Sequence, residues 1–524
     1  MRNLVITGFM GTGKTTVGQA VAARLGRPFV DMDAEIERRA GKPIARIFAE
    51  DGEAAFRRWE ASICAELGLQ RGLVIATGGG ALVNPLNRAQ MLRNGTVVCL
   101  WCEIEELLRR LDSQDNERPL LEGANLRAHV EQLLAARRPA YQAIPWHIDT
   151  TGRAVPEISA QICELVEEQR IDVRHPTGSY TIQAGCGLLA RVGEVLHEVG
   201  LCAPCEIAVV SNPTLASLYG ERVEDSLRRA GFRPYLCLIP DGEPHKTLDT
   251  VSSLYRQFLR HGLDRSGAVL ALGGGMVGDV AGFAAATYLR GVRVVQVPTT
   301  LLAMVDASVG GKTGVNLEEG KNLVGAFHHP SAVVIDPEAL ATLPAEELRS
   351  GVAEAIKHAM IGDAALFARL EQGPRRTLFS PPLIARALRV KVHVVEEDPS
   401  EQGRRVVLNL GHTVGHALER CTAYMLRHGE AVGLGMVAAA RLAVALSLAS
   451  DPLVRRLEDL LGVWGLPTRY PVEIDRLWEA LGYDKKRRAG RLRWVVPTGI
   501  GSVTVVEDVP QEVVRAVLAE LGEP

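Results

Sequence analysis

GFMGTGKT, from Gly8 to Thr15, is a stretch suited to holding phosphate. Its glycines let the backbone turn tightly, so that N–H groups face phosphate oxygens, and a helix starting there adds a favourable field. Lys14 can reach β- and γ-phosphates, and the Thr15 hydroxyl can join a magnesium shell. Gly8, Gly11, Thr12, Gly13, Lys14, Thr15 and Thr16 are therefore the candidate contacts for ATP with Mg²⁺. Asp31 and Asp33 follow at the end of FVDMD, where residues two apart on a strand point the same way. One can orient a hydroxyl while the other supports magnesium. Arg57, Arg118 and Arg137 suit a small anionic acceptor, because guanidinium groups hold carboxylates bidentately.

GGGMVGDVAGF, Gly273 to Phe283, follows the apolar run AVLAL. Its glycines permit close approach to a pyrophosphate, a dinucleotide signal without the usual GxGxxG spacing. Thr299, Thr300, Asp306 and Lys312 make the next segment unusually polar for one beside a core strand, and GKNLVGAF adds Lys321 and Asn322. Glu354 and Lys357, three apart in GVAEAIKHAM, share a helix face. LNLGHTVGHALERC carries His412 and His416 at i and i+4, again one face, and HGE carries His428. A His/His/Glu set leaves an open fourth position at zinc. His412, His428 and Glu354 can supply that set. A site in which His412 and His416 both ligate is the competing arrangement, and spacing does not decide between them.

These residues need elements to hold them. LVIT, FVDMD, LVIATGGG and TVVCLWC are strand-like and alternate with helical segments, which predicts a parallel sheet with both faces covered. Between PEISAQICELVEEQR and IDVRHPTGSYTIQAG the periodicity turns from helical to strand-like, placing a boundary near residue 172 with a short linker. EIAVVS, RPYLCLIP, AVLALGGG, VRVVQVP and AVVIDP follow as strands separated by helices. After about Asp336 the pattern is helix upon helix to about Ala480, then RLRWVVPT and GSVTVVED as short late strands. A chain of 524 residues is too long for one core.

A formal net charge of −3 argues against a general nucleic-acid footprint. AVGLGMVAAARLAVALSLAS has Arg441 in its middle and is expected as buried helix, not a membrane span. The opening MRNLVITGFMG lacks the apolar run and cleavage site of a signal peptide. Nine scattered cysteines, with Cys202 and Cys205 among them as a CxxC, fit plain thiols in a reducing cytoplasm.

Residues 1 to about 170 resemble shikimate kinase through GFMGTGKT, DMD, FRRWE, TGGG, RPLL and the RxPxY of Arg137 to Tyr141. The resemblance implies Lys14 and Thr15 for ATP and Mg²⁺, with Asp31 on the metal side. It implies Asp33 as base at the shikimate hydroxyl, and Arg57, Gly79, Gly80 and Arg137 on the shikimate carboxylate and ring. Arg118 would sit in a lid over about Asp112 to Leu121 and meet the ATP phosphates. From about residue 173 the chain resembles 3-dehydroquinate synthase. GGGMVGDVAGF, VPTTLLAMVDASVGGKTGVN, GKNLVGAF, GVAEAIKH, LNLGHTVGHALE and HGEAVGLGM occur in order. That resemblance implies Zn²⁺ or Co²⁺ on Glu354, His412 and His428, with His416 and Lys357 as catalytic groups beside the substrate. It implies a substrate pocket of Arg290, Asp306, Lys312, Asn322, Lys357, Lys391, Arg405, Asn409 and His416, Arg290 reaching across a dimer contact. It implies NAD on Asn212, Glu243, Lys246, Gly274, Gly275, Asp279, Thr299, Thr300 and Lys321. Asn212 departs from the aspartate usual at that position, so charge is lost beside the adenine ribose while amide hydrogen bonding stays available.

The expected fold class is α/β. A P-loop kinase domain with a parallel sheet spans 1–171, an α/β NAD-binding half of the synthase spans 172–336, and a mostly helical metal-binding half spans 337–524. The implied activities are phosphorylation of shikimate from ATP, and conversion of a seven-carbon keto acid phosphate to 3-dehydroquinate with catalytic NAD. Expected partners are small molecules and a second copy bound through the synthase unit, with no nucleic acid and no membrane. The rival reading is a related sugar-phosphate cyclase, or an NAD- and zinc-dependent polyol dehydrogenase, fused to another small-molecule kinase.

Overall fold

The computed structural model describes residues 1–112, 126–374, 378–401, 403–485 and 493–522. It divides into two compact units, Met1–Glu167 with Gly185–Gly187, and Glu168–Ala184 with Leu188–Pro524. The division precedes the sequence-based placement near 172, because the strand that opens the second sheet starts at Gln169.

In the first unit, strands β1 (Asn3–Gly8), β2 (Phe29–Asp31), β3 (Val74–Ala76), β4 (Gly95–Trp101) and β5 (Trp146–Asp149) form one parallel sheet, ordered β2-β3-β1-β4-β5. β1 is buried throughout, and its side chains alternate between two cores. Val5 packs in a cluster with Ile36 and Ile63, whereas Leu4 and Ile6 pack in one with Val17, Val21 and Ile162. The strand order reverses at β1, which has β3 on one side and β4 on the other. Ligands of open α/β sheets bind at such a switch point, beyond the carboxyl ends of the strands. Helices α1 (Lys14–Leu25), α2 (Met32–Ala40), α3 (Glu53–Leu69) and α4 (Leu126–Gln142) carry the remaining site residues.

The second unit begins with β6 (Gln169–His175) and β7 (Gly178–Ala184), an antiparallel pair. β8 (Glu206–Ser211), β9 (Arg233–Leu238), β10 (Ala268–Gly273) and β11 (Arg293–Pro298) follow, with β12 (Lys312–Leu317) and β13 (Gly320–Phe327) forming a separate hairpin. β14 (Ala332–Ile335) completes a seven-stranded sheet ordered β6-β7-β14-β11-β10-β8-β9. The hairpin was not expected from sequence, because KTGVNLEEGKNLVGAF is too glycine-rich and polar to give a strand pattern.

Helix α5 (Gly275–Thr287) leaves the end of β10. The helical half then supplies α6 (Ala345–Gly362), α7 (Pro381–Glu397), α8 (His412–Cys421) and α9 (His428–Ala445). Where AVGLGMVAAARLAVALSLAS allowed a buried helix pair or one long core helix, α9 runs through it to Ala445 as one helix, and Arg441 on it pairs with Glu458 at 2.7 Å. Among the described residues no helix is long and apolar enough to cross a membrane. The late strands β15 (Trp494–Gly499) and β16 (Ser502–Val506) pair as a hairpin.

Candidate active sites

In the first unit the phosphate loop joins β1 to α1. Gly13 caps the helix in a left-handed conformation (φ 88°), where a side chain would be strained. The Thr12 hydroxyl donates to the Phe9 carbonyl at 2.8 Å and Lys14 Nζ to the same oxygen at 3.0 Å, so Lys14 folds back over the loop. Thr15, at the second residue of α1, donates to Asp31 Oδ2 at 2.7 Å. Thr16 is exposed on the first turn.

The two aspartates do not lie side by side on a strand as expected. Asp31 ends β2 and caps α2, its Oδ1 accepting from the N–H groups of Asp33 (3.0 Å) and Ala34 (3.3 Å). Asp33 is already in the first turn of α2. The cause is local: the Asp31 side chain satisfies free helical donors and so starts the helix two residues early. The consequence is that Asp31 faces Thr15, while Asp33 turns inward to Gly78, where a Cβ would fall 2.7 Å from Asp33 Oδ1 and 2.9 Å from Glu60 Oε1.

Glu60 was not anticipated. It is buried on α3, three residues after Arg57, and accepts from Arg57 Nη1 at 2.6 Å. Its position in FRRWE, one turn from Arg57, was the available signal. Arg57 lies against Gly80, where a Cβ would fall 2.6 Å from its Nη1. Arg137 is buried on α4 beside Gly79, and Tyr141, one turn on, donates to the Gly79 carbonyl at 2.6 Å. Asp33 Oδ1, Glu60 Oε1 and Arg137 Nη1 are buried with no hydrogen-bond partner among the described residues, an arrangement that fits a polar, anionic ligand. Burial pushes the carboxyls of Asp33 and Glu60 up, against the pull of Lys14 and Arg57 respectively. Arg118 and most of the expected lid lie outside the described residues.

In the second unit, Gly274 caps α5, where a Cβ would come 3.0 Å from Thr300 Cγ2. Thr299 donates its N–H to the Gly273 carbonyl at 3.0 Å, and its buried hydroxyl has no partner among the described residues. A cradle that a side chain would fill, an unused hydroxyl and a helix N-terminus fit a pyrophosphate. Lys246 Nζ meets Asp279 Oδ2 and Asn322 Oδ1, both at 2.5 Å. Glu243 accepts from Asn316 at 2.8 Å. Asn212 donates to Asp241 Oδ1 at 2.9 Å, so the carboxylate missing at position 212 is present next to it.

Three helices bring the metal-type donors together. Glu354 is fully buried in the middle of α6, and His412 and His428 are the first residues of α8 and α9. Their Nε2 atoms stand 3.5 Å and 3.4 Å from Glu354 Oε1. Donor atoms of these three residues all lie within 4.8 Å of one another, and His416 is outside that set. The His412 Nδ1–H donates to the Leu410 carbonyl at 3.2 Å, which leaves Nε2 as the basic atom. Burial and Lys357 hold the His412 imidazole down at about 3. Burial also opposes protonation of His428, but the carboxylates of Glu354 and Glu419 on either side of the ring outweigh it and hold that imidazole up at about 9. A positive charge is therefore favoured between these carboxylates, and the donor set fits a divalent cation of the zinc or cobalt kind.

α8 and α9 meet through backbone. A Cβ on Gly435 would lie 1.8 Å from the Gly411 carbonyl oxygen, and one on Gly411 2.7 Å from the Val432 oxygen.

Asp306 rides on a turn of π-helix, Ala303–Ala307, of the kind found at functional sites. Lys391 approaches its carboxylate at 2.6 Å and Lys357 at 4.0 Å, while Lys357 also pairs closely with Glu354. Burial works against ionisation of Asp306, yet the two lysines hold its carboxyl well below the usual range. His358, next to Lys357 in sequence and not singled out there, is fully buried with Nε2 3.7 Å from Asp306 Oδ1. Asp306, Glu354 and His358 also converge within 4.8 Å, but the two ammonium groups already answer those carboxylates.

Arg405 is buried and donates to the carbonyls of Pro399 (2.9 Å) and Gly310 (3.1 Å). Asn409 ends the same 3₁₀ turn, and Lys312 pairs with Glu401 at 2.6 Å. His416 is exposed one turn after His412, its ring 5.2 Å from that of His412. Lys321 reaches Glu419 at 3.4 Å. Arg290 is not brought to this cluster within one chain. It is exposed just past the C-terminal end of α5, about 20 Å of helix from Gly275.

Both units have relatives among known proteins. A family model described as shikimate kinase matches residues 10–167. Models described as 3-dehydroquinate synthase N-terminal and C-terminal match residues 236–350 and 351–487. A 3-dehydroquinate synthase of Cyanothece sp. is 48% identical over 366 residues, covering 68% of this chain and 99% of the relative. One of Gloeobacter violaceus is 50% identical over 361 residues, covering 67% and 99%. Among solved structures, the 2-epi-5-epi-valiolone synthase ValA of Streptomyces hygroscopicus, with NAD⁺ and Zn²⁺ bound, is 32% identical with a TM-score of 0.60. That likeness covers 67% of this chain and 99% of ValA.

Proposed function

The chain belongs to the 3-dehydroquinate synthase family over its larger unit and carries a shikimate kinase domain before it; from that premise we propose how its residues divide the work of a bifunctional shikimate-pathway enzyme. The working parts are the kinase unit, Met1–Glu167 with Gly185–Gly187, and a synthase unit whose α/β part runs to about residue 336 and whose helical part spans 337–524.

The first part transfers the γ-phosphoryl group of ATP to shikimate, giving shikimate 3-phosphate. Lys14 and the loop N–H groups hold the phosphates, and Thr15 with Asp31 supports Mg²⁺. Asp33, its proton affinity raised by burial, takes the proton of the attacking hydroxyl. Arg57 and Arg137 hold the shikimate carboxylate, with Gly79 and Gly80 leaving room for the ring.

The second and third parts convert 3-deoxy-D-arabino-heptulosonate 7-phosphate to 3-dehydroquinate and phosphate. When bound, NAD supplies a reversible hydride acceptor and the divalent cation polarises substrate oxygens. Gly274, Gly275, Thr299, Thr300, Lys246, Asp279, Glu243, Lys321 and Asn212 line the dinucleotide side. Glu354, His412 and His428 hold the cation, as Zn²⁺ or Co²⁺. Lys357, Lys391, Lys312 and Arg405 neutralise the substrate's phosphate and carboxylate, with Asp306, Asn322 and Asn409 fixing hydroxyls. His416, exposed beside the cation donors, moves the proton that accompanies loss of phosphate.

The chain works as a cytoplasmic homodimer through its synthase unit, with Arg290 serving the partner's site. Its exposure on a left-handed turn (φ 63°) supports that placement.

The observation that carries the synthase reading is the convergence of Glu354, His412 and His428 on one point beside the Asp306–Lys357–Lys391 cluster. The test is release of inorganic phosphate from the heptulosonate phosphate, with NAD and Zn²⁺ present, without net accumulation of NADH. Accumulating NADH would make the unit a dehydrogenase. Phosphate release from other sugar phosphates but not from this one would make it a related cyclase.

A further inference from the structure

Glu419 is a buried carboxylate with no task in the reaction as described. It lies on α8, two turns after His412. Its Oε2 stands 3.7 Å from His428 Nδ1, while the other ring nitrogen of His428 faces Glu354. Its Oε1 accepts from Lys321 Nζ at 3.4 Å. Lys321 also stacks its ammonium 4.0 Å from the ring centre of Tyr424, just beyond α8, so the tip of the β12–β13 hairpin is tied both to α8 and to the turn that follows it. The next residue on β13, Asn322, meets Lys246, which meets Asp279 on α5. One line of polar contacts thus runs from the cation donors to the helix that starts at the dinucleotide cradle.

A histidine ligand whose far nitrogen donates to a carboxylate is held in one tautomer and one ring orientation. A cation on Nε2 makes the Nδ1–H a stronger donor, so it draws more firmly on the carboxylate behind it. Here that carboxylate shares its second oxygen with the hairpin. We propose that Glu419 is a positioning residue that couples cation binding at Glu354, His412 and His428 to dinucleotide binding at α5 and Lys321. The inference rests on the synthase reading above and adds to it a thermodynamic link, which must be reciprocal.

The experiment uses the full chain, stripped of metal with a chelator. NAD⁺ is titrated calorimetrically with and without saturating Zn²⁺, and Zn²⁺ is titrated separately. In the wild type, Zn²⁺ is expected to tighten NAD⁺ binding by about fivefold or more. In Glu419→Gln, one amide oxygen cannot serve both partners. Its zinc affinity is expected to fall about 10- to 100-fold and the effect of Zn²⁺ on NAD⁺ to approach onefold. Lys321→Met cuts only the hairpin arm: zinc affinity stays close to wild type, NAD⁺ weakens, and the effect of Zn²⁺ on it again approaches onefold. If Glu419→Gln does not fold, Lys321→Met decides alone. A wild-type effect near onefold, or a wild-type effect retained in the folded variants, overturns the coupling. A wild type that binds neither Zn²⁺ nor NAD⁺ overturns the synthase reading and the coupling with it.

Discussion

The ammonium of Lys391 lies 2.6 Å from Asp306 Oδ1 and 2.6 Å from the carbonyl oxygen of the same residue. One side chain on α7 therefore clamps both the carboxylate and the backbone of the widened turn that carries it. Lys391→Met removes the nearer of two counter-charges, leaving Lys357 at 4.0 Å. The expected loss is about 3 kcal/mol, the low end for breaking a buried pair. Calorimetric unfolding of the synthase unit should show it. Adding Asp306→Asn should recover part of the loss, since the unpaired charge is then gone. Equal losses in the single and double variants would contradict this account of the clamp.

Lys14→Ala is expected to cut shikimate phosphorylation about 10²- to 10³-fold or more, as for loss of one preorganised donor to developing charge. The rate of 3-dehydroquinate formation should not change, because on the proposed reading none of the synthase groups comes from the kinase unit. Both rates measured on one preparation decide it. A comparable fall in the synthase rate would sink the independence of the two sites.

His412→Ala and His416→Ala should fail differently. His412 belongs to the converging donor set, so its loss should empty the cation site and stop the synthase. His416 stands outside that set, and its loss should leave the metal content intact while slowing turnover about 10²- to 10⁴-fold. Elemental analysis of the two proteins separates the roles. A metal-free His416→Ala would reverse the assignment. His428→Ala should lose metal and synthase activity together.

His329 gives a pH dependence at the Arg405 edge of the second unit's site, where it packs against Gly311. Its ring stacks on His175 at 4.0 Å, and burial and the neighbouring His175 hold its imidazole down at about 4, against 6.5 when free. A depressed folded value means its contribution to stability is present above about 6.5 and is lost as pH falls through about 4. Thermal midpoints of the wild type should therefore fall between those pH values more steeply than those of His329→Gln. Parallel slopes would remove His329 from the acid response.

Much of both sites was legible because the motifs are local. GFMGTGKT states its own strand, loop and helix, and HTVGH states its own helix face. What was not legible depends on contacts made in space. Glu60 and His358 look like ordinary helix residues until Gly78 and Asp306 are folded against them. Asp241 supplies a carboxylate beside Asn212 from a neighbouring strand end, which no single-strand reading shows. Asp33 reads as a strand residue because propensity does not reveal that the preceding aspartate has already capped a helix. The β12–β13 hairpin escaped notice because its strands are set by pairing with each other and not by an apolar alternation.

The contact between Gly411 and Gly435 has a consequence for how this scaffold can vary. Helix spacing in most proteins can drift a little either way as side chains between the helices shrink or grow. Here the helices that begin with His412 and His428 already touch main chain to main chain, so nothing remains to be trimmed. Any substitution at either glycine adds atoms and moves the two imidazoles apart. Libraries that randomise these positions should return glycine almost exclusively. A change of metal preference must instead be sought among the donors themselves and the groups that back them.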